Sequence, residues 1–108
     1  MAKKTYQSTD GTSFHGVVIR ATVEQLKNAF GDPSMAWNTG DDKVNFEWEM
    51  ETDEGEVFTI YDWKYYRPLR SDEIVTWNIG SKSKSVSWDA EREILKALVS
   101  EQWKTNLV

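Results

Sequence analysis

The 108-residue sequence predicts an α+β domain of order β-α-β-β-β-α, a mostly antiparallel sheet of about four strands packed against two helices. Three observations carry that expectation. Apolar and polar residues alternate strictly from Lys43 to Met50, a hairpin signal follows at Thr52-Asp53-Glu54-Gly55, and helical periodicity occurs in only two places, one early and one at the C-terminal end. A sheet with one buried face and two helices to cover it is the layer arrangement such a pattern specifies.

Taken in order, residues 1–12 are polar and end in the turn signal Asp10-Gly11, so they read as a flexible lead-in to a single domain over 13–108. Phe14 to Ala21 is β-branched and apolar enough for a strand. Thr22-Val23-Glu24-Gln25 then has the form of a capping box, and Val23, Leu26, Ala29 and Phe30 keep helical spacing until Gly31 and Pro33 end the helix. That helix is short enough to be partly 3₁₀. Met35 to Asp42 reads as a loop. In the strand from Lys43 to Met50, Val44, Phe46, Trp48 and Met50 share one face, while Asn45, Glu47 and Glu49 share the other. Glu56 to Trp63 returns antiparallel with bulk on both faces, as a central strand requires. Pro68 interrupts the next connection, Ile74 to Gly80 gives a further strand, and a Ser/Lys loop leads to a last helix capped by Ser87 or Asp89. Its apolar stripe is Ala90, Ile94, Ala97 and Leu98, with Leu95 and Val99 widening it.

A chain of this length supports one core. Six Trp, four Tyr and four Phe explain how a sequence of mean hydropathy -0.65 can bury one. The absence of cysteine excludes disulfides, thiolate metal sites and cysteine nucleophiles, and fits a cytosolic protein better than a stapled secreted one. The N-terminus lacks a signal-peptide apolar run and no segment has the roughly 20 apolar residues of a membrane span, so a soluble, unprocessed protein is expected.

The net charge of -5 argues against general nucleic-acid binding, but it is unevenly placed. Nine acids lie between Asp41 and Asp62 against Lys43 alone, whereas from Lys64 to Lys84 five cations face only Asp72 and Glu73. Enzymatic signatures fail. His15 is the only histidine, without metal-ligand spacing around it; Ser13 lies beside it on one strand with no nucleophile elbow; and neither a Rossmann nor a P-loop glycine motif occurs. Asp41, Asp42 and Glu47 could approach a magnesium ion, but adjacent acids at a loop end are ordinarily solvated. The expectation is a protein that is not an enzyme and needs no cofactor or metal.

Binding is better supported. The stretch Val57 to Gly80 holds six of the fourteen aromatics and is followed or interleaved by cations. Aromatic planes beside guanidinium and ammonium groups suit bases and phosphates. The expected ligand site is Tyr61, Trp63, Lys64, Arg67, Arg70 and Trp77, with Arg67 and Arg70 exposed beside Pro68; the competing reading makes Tyr61 or Trp63 core residues. An alternative site is the row Glu47, Glu49 and Glu51, spaced about 7 Å apart on one strand face, which could imitate nucleic-acid phosphates toward a basic protein or be a solvated sheet face. A third reading makes the aromatic sheet face, at Trp48 or Trp63, a homo-oligomer interface. Trp48 itself, in the alternating strand, is expected to be buried.

The set Phe30-Gly31-Asp32-Pro33, Asp42-Lys43-Val44, Glu47-Trp48, Ile60-Tyr61-Asp62-Trp63-Lys64 and Trp77-Asn78-Ile79-Gly80 resembles a widespread family of small tailed-bacteriophage proteins, over about Phe14 to Leu98. The family pattern ends Trp-His-Ile-Gly-Gly, where this chain has Asn78 and Ser81. The resemblance implies a phage origin, action in the host cytoplasm, and a counter-defence role exercised by binding. Two forms are expected: sequestration of a small nucleotide-derived immune signal, or inhibition of a host defence protein.

Overall fold

A computed structural model describes residues 1–106, with side chains as far as Glu101. The elements are β1 (Lys3–Lys4), β2 (Ser13–Ala21), α1 (Val23–Phe30), β3 (Met35–Ala36), β4 (Phe46–Glu51), β5 (Val57–Tyr61), β6 (Val75–Ser81) and α2 (Lys84–Asn106). The α+β class and the two helices are as the sequence predicts, but the sheet has six strands rather than four. Its order is β1-β4-β5-β6-β2, every pairing is antiparallel, and β3 shares the outer edge of β4 with β1. No described helix is long and apolar enough to cross a membrane.

The two additional strands have two residues each, too short for any periodicity to announce them. β1 corrects the expectation of a free lead-in: Lys3 and Lys4 pair with Glu51 and Met50, and Ala2 and Thr5 are buried. β2 has the other outer edge of the sheet, and a bulge between Phe14 and Val18, where Gly16 adopts φ +85°, interrupts its ladder.

One sheet face carries Phe46, Trp48, Met50, Phe58, Ile60, Val75, Trp77, Ile79, Val17, Ile19 and Ala21, covered by Val23 and Leu26 of α1 and by Ala90, Ile94 and Ala97 of α2. Trp48 and Trp77 meet edge to face with centroids 5.5 Å apart, and Phe46 stacks beside Trp48 at 6.2 Å. Each indole N–H fixes one end of α1. Trp77 Nε1 donates to the Ala21 carbonyl ahead of the helix, and Trp48 Nε1 to the Gly31 carbonyl behind it. The capping box is complete, with Thr22 and Gln25 bonded reciprocally, so α1 is fully α-helical.

Two boundaries and one helix face differ from expectation. β4 begins at Phe46, not Lys43, because Asn45 turns inward rather than joining Glu47 and Glu49 on the acidic face. α2 begins at Lys84: Ser83 is its cap, accepting from the Val86 N–H, while Ser87 is buried and bonded to the Ser81 hydroxyl. Leu95 and Val99 do not widen the inner stripe of α2; both face outward.

Trp48→Ala removes a fully buried indole and its hydrogen bond to Gly31. It is expected to cost about 3–5 kcal/mol, read as a fall in the urea midpoint with an unchanged slope.

Candidate functional site

Opposite the helices no further helix or strand packs on the sheet among the described residues, although Val57, Thr59 and Gly80 on that face are buried. Across it the register aligns Glu47, Tyr61, Asn78 and Val18 in one row and Glu49, Thr59, Gly80 and Phe14 in the next. The Tyr61 ring leans over Gly80, where a Cβ would lie 3.4 Å from the ring and 2.6 Å from Thr59 Oγ1, so glycine leaves the room the two side chains occupy. Burial, and then the neighbouring Glu49 carboxylate, push the Glu47 carboxyl above its ordinary value.

At the end of the sheet where β4 begins and β5 stops, two irregular segments, 37–45 and 62–70, are tied together by Asp62. Its carboxyl is fully buried and accepts from Asn45 N (2.8 Å), Phe46 N (2.8 Å) and Asn45 Nδ2 (3.0 Å). Asn45 also donates to the Arg67 carbonyl and accepts from the Gly40 N–H, so its amide is fully used. Asn38 bonds both the carbonyl and the N–H of Leu69, and the Lys64 N–H donates to the Lys43 carbonyl at 2.7 Å. Gly40 sits so close to Arg67 that a Cβ would come within 2.6 Å of its Cα. Lys64 and Tyr66 hold φ of 58° and 52°, a left-handed backbone that non-glycine residues adopt only where the surroundings enforce it.

This frame presents exposed aromatics, Trp37, Trp63 and Tyr66, with two lysines. The Lys43 and Lys64 ammonium groups lie 5.8 and 5.5 Å from the Trp63 ring centroid, within cation–π range. Neither forms an ion pair among the described residues. Tyr61 meets Trp63 edge to face at 6.1 Å. Of the six residues the sequence predicts for a ligand site, the structure therefore brings Tyr61, Trp63 and Lys64 together.

The other three are placed differently. Trp77 is 0% exposed on the helix-covered face, so its assignment to a ligand site is corrected: the indole is core. Arg67 and Arg70 are exposed as expected, but both are engaged by acids of their own loop. Arg67 forms a two-pronged pair with Glu73 at 2.8 and 2.9 Å and lies over Tyr65, and Arg70 bonds Asp72 through two nitrogens. Lys43 and Trp37 were missed by sequence reasoning. Lys43 stands within an acidic run and twenty-one residues from Lys64, and only the Asp62 network makes the two neighbours.

A catalytic use of His15 finds no support in geometry. Ser13 Oγ is 3.4 Å from His15 Nε2, but that nitrogen faces the Ser81 carbonyl at 2.9 Å. A carbonyl only accepts, so Nε2 carries the proton and cannot take one from Ser13. Among the described residues no three His, Asp or Glu side chains are grouped to hold a metal ion.

Fold and site together define a small α+β protein with an open-faced antiparallel sheet and an aromatic, cationic tip. The chain matches no family model, no curated protein and no solved structure.

Asp62→Ala would leave three N–H donors without their acceptor, at about 1–3 kcal/mol for each that water fails to reach. The expected result is a stability loss of roughly 3 kcal/mol or more in denaturant melts, together with altered amide shifts at Gly40 and Lys64. A second expectation concerns Glu73, whose carboxyl the Arg67 hydrogen bonds, helped by the Arg70 N–H, lower to about 2. Because the folded value lies below the ordinary one, the stabilisation from this pair is complete above the ordinary carboxylate range and is lost as pH falls toward 2. Carbon-detected NMR titration should place the Glu73 midpoint near 2 and return it toward the ordinary value in Arg67→Ala.

Proposed function

We propose that this is a non-enzymatic binding protein that captures a small, anionic, planar ligand at the tip formed by Trp63, Tyr61, Lys43 and Lys64. The observation that supports it most is the presentation of one exposed indole with two ammonium groups that have no carboxylate partner among the described residues, on loops held by the Asp62 and Asn45 hydrogen bonds. Preorganisation matters because ordering loops and side chains on binding would otherwise offset the contact energy. A base or similar ring stacks on Trp63 or Tyr61, and the two lysines meet its phosphate oxygens as movable point charges. Arg67 and Arg70 act here as loop fasteners. In the setting implied by the phage resemblance, the ligand is a nucleotide-derived immune signal, the site of action is the host cytoplasm, and sequestration without turnover suffices.

A second reading rests on the open sheet face, where half-buried Glu47 and Glu49 stand beside Tyr61 and the exposed Phe14 and Val18. Acids with apolar neighbours suit a basic protein surface such as the nucleic-acid groove of a host defence enzyme, and binding there would weaken steeply with salt.

The two readings separate experimentally. Calorimetry against a panel of cyclic oligonucleotides and ADP-ribose derivatives should reveal a ligand for the wild-type protein. Trp63→Ala and the pair Lys43→Glu with Lys64→Glu should each weaken it about tenfold or more, with little change in melting temperature, because these side chains are exposed. Glu47→Lys with Glu49→Lys should leave that binding intact. Silence across the panel, combined with loss of phage protection in the glutamate double variant, would replace the first reading with the second.

A further inference from the structure

α2 is apolar on two sides. Ala90, Ile94 and Ala97 face the sheet, while Trp88, Leu95 and Val99 lie on the outer surface, 51%, 46% and 55% exposed. With Arg92 between them, these outer positions follow the four-three-four spacing of a coiled-coil seam. An outer ridge of this kind is unusual on a helix that already has a covered face. The ridge is also distinct in charge. From Lys84 to Val99 the helix carries three cations, Lys84, Arg92 and Lys96, and three acids, Asp89, Glu91 and Glu93, in a chain whose net charge is -5. This is a locally neutral strip on a protein whose copies otherwise repel.

We infer that a second copy of this chain covers the ridge, with the two α2 helices antiparallel about a two-fold axis. The seam is self-complementary in that direction. Aligning Trp88 with the partner's Val99 sets a large residue against a small one, and in the same register Leu95 meets the aliphatic stem of the partner's Arg92. Asp89 and Lys96, of opposite charge, lie seven residues apart on the same flank. On antiparallel helices that flank faces its own copy, so each Asp89 lies beside a partner Lys96, twice over by symmetry. In the single chain Asp89 is already paired with Arg92 on its own helix, and the incoming ammonium group joins that pair. A parallel pairing would instead stack Arg92 on the partner's Arg92 and Trp88 on its Trp88. The contact spans Trp88 to Val99, roughly 18 Å of helix, which is small for a permanent dimer. A reversible dimer is expected, with both tips and both open sheet faces left free because they lie away from α2. A two-site sequestering particle would follow, but the dimer does not rest on the ligand reading.

Sedimentation equilibrium of the full chain, from low micromolar to millimolar concentration, should show reversible dimerisation. Trp88→Glu should weaken it at least tenfold while far-UV circular dichroism and the melt remain those of a folded monomer, since Trp88 is exposed on the outer side of α2, with the Lys84 ammonium over its ring. Lys96→Asp should weaken it by setting acid against acid, and adding Asp89→Lys to Lys96→Asp should restore it. A wild-type chain that stays monomeric at millimolar concentration would overturn the inference, as would a dimer indifferent to Trp88→Glu. Failure of the double charge exchange to recover association would overturn the antiparallel pairing.

Discussion

The buried carboxyl of Asp62 is the constraint on which the functional end of this molecule depends. It stands one residue beyond β5, on the side of the strand that faces the core, where a hydrophobic residue would have continued the pattern of Phe58 and Ile60. Placed there, it collects the backbone N–H groups of Asn45 and Phe46 and the Asn45 amide. That choice ends the β4 ladder at Phe46, draws Asn45 inward, and holds 37–45 against 62–70. A buried polar group is tolerable only when its partners are in place. Here the partners are the two loops themselves, so satisfying one side chain shapes the whole tip.

The rest of the fold divides labour between the two sheet faces. The inner face is closed by aromatic packing, with Trp48 and Trp77 edge to face and their N–H groups bonded at either end of α1. An indole is well suited to this because it fills volume and offers a single donor that a free carbonyl at a helix end can accept. No helix or further strand packs on the outer face among the described residues, and at its middle Thr59 and Tyr61 lie over Gly80. The glutamates of β4 and Tyr61 therefore lie on that face, and Trp63, Lys43 and Lys64 at the tip, while the helices cover the opposite side of the sheet.

The cations of the β5–β6 connection illustrate why proximity in sequence is a poor guide to a binding site. Lys64, Arg67 and Arg70 look like one cluster when read along the chain. In space the guanidinium groups fold back onto Glu73 and Asp72, residues the sequence places at the end of the same run. Planar, multiply donating arginine is the side chain best matched to such two-pronged pairing with a carboxylate. The ammonium group of Lys64 instead remains at the tip and gains Lys43 as a neighbour from an acidic stretch.

By itself the sequence determined what depends on local periodicity and local chemistry. The α+β class, the capping box of α1, the alternating Phe46-Trp48-Met50 stripe, the turn at 52–55 and the burial of Trp48 all arise from residues within a few positions of one another, where spacing and capping leave little choice. Tertiary structure alone decided the features that rest on distant partners. β1 and β3 exist only because the edge of β4 offers them hydrogen bonds. Trp77 and Tyr61 are both strand aromatics with alternating neighbours, and only the register and the position of the helices send one into the core and the other onto the open face. Lys43 joins Lys64 because a single buried carboxyl, seventeen residues from Asn45, had to be satisfied, and such long-range satisfaction leaves no periodic trace in the chain.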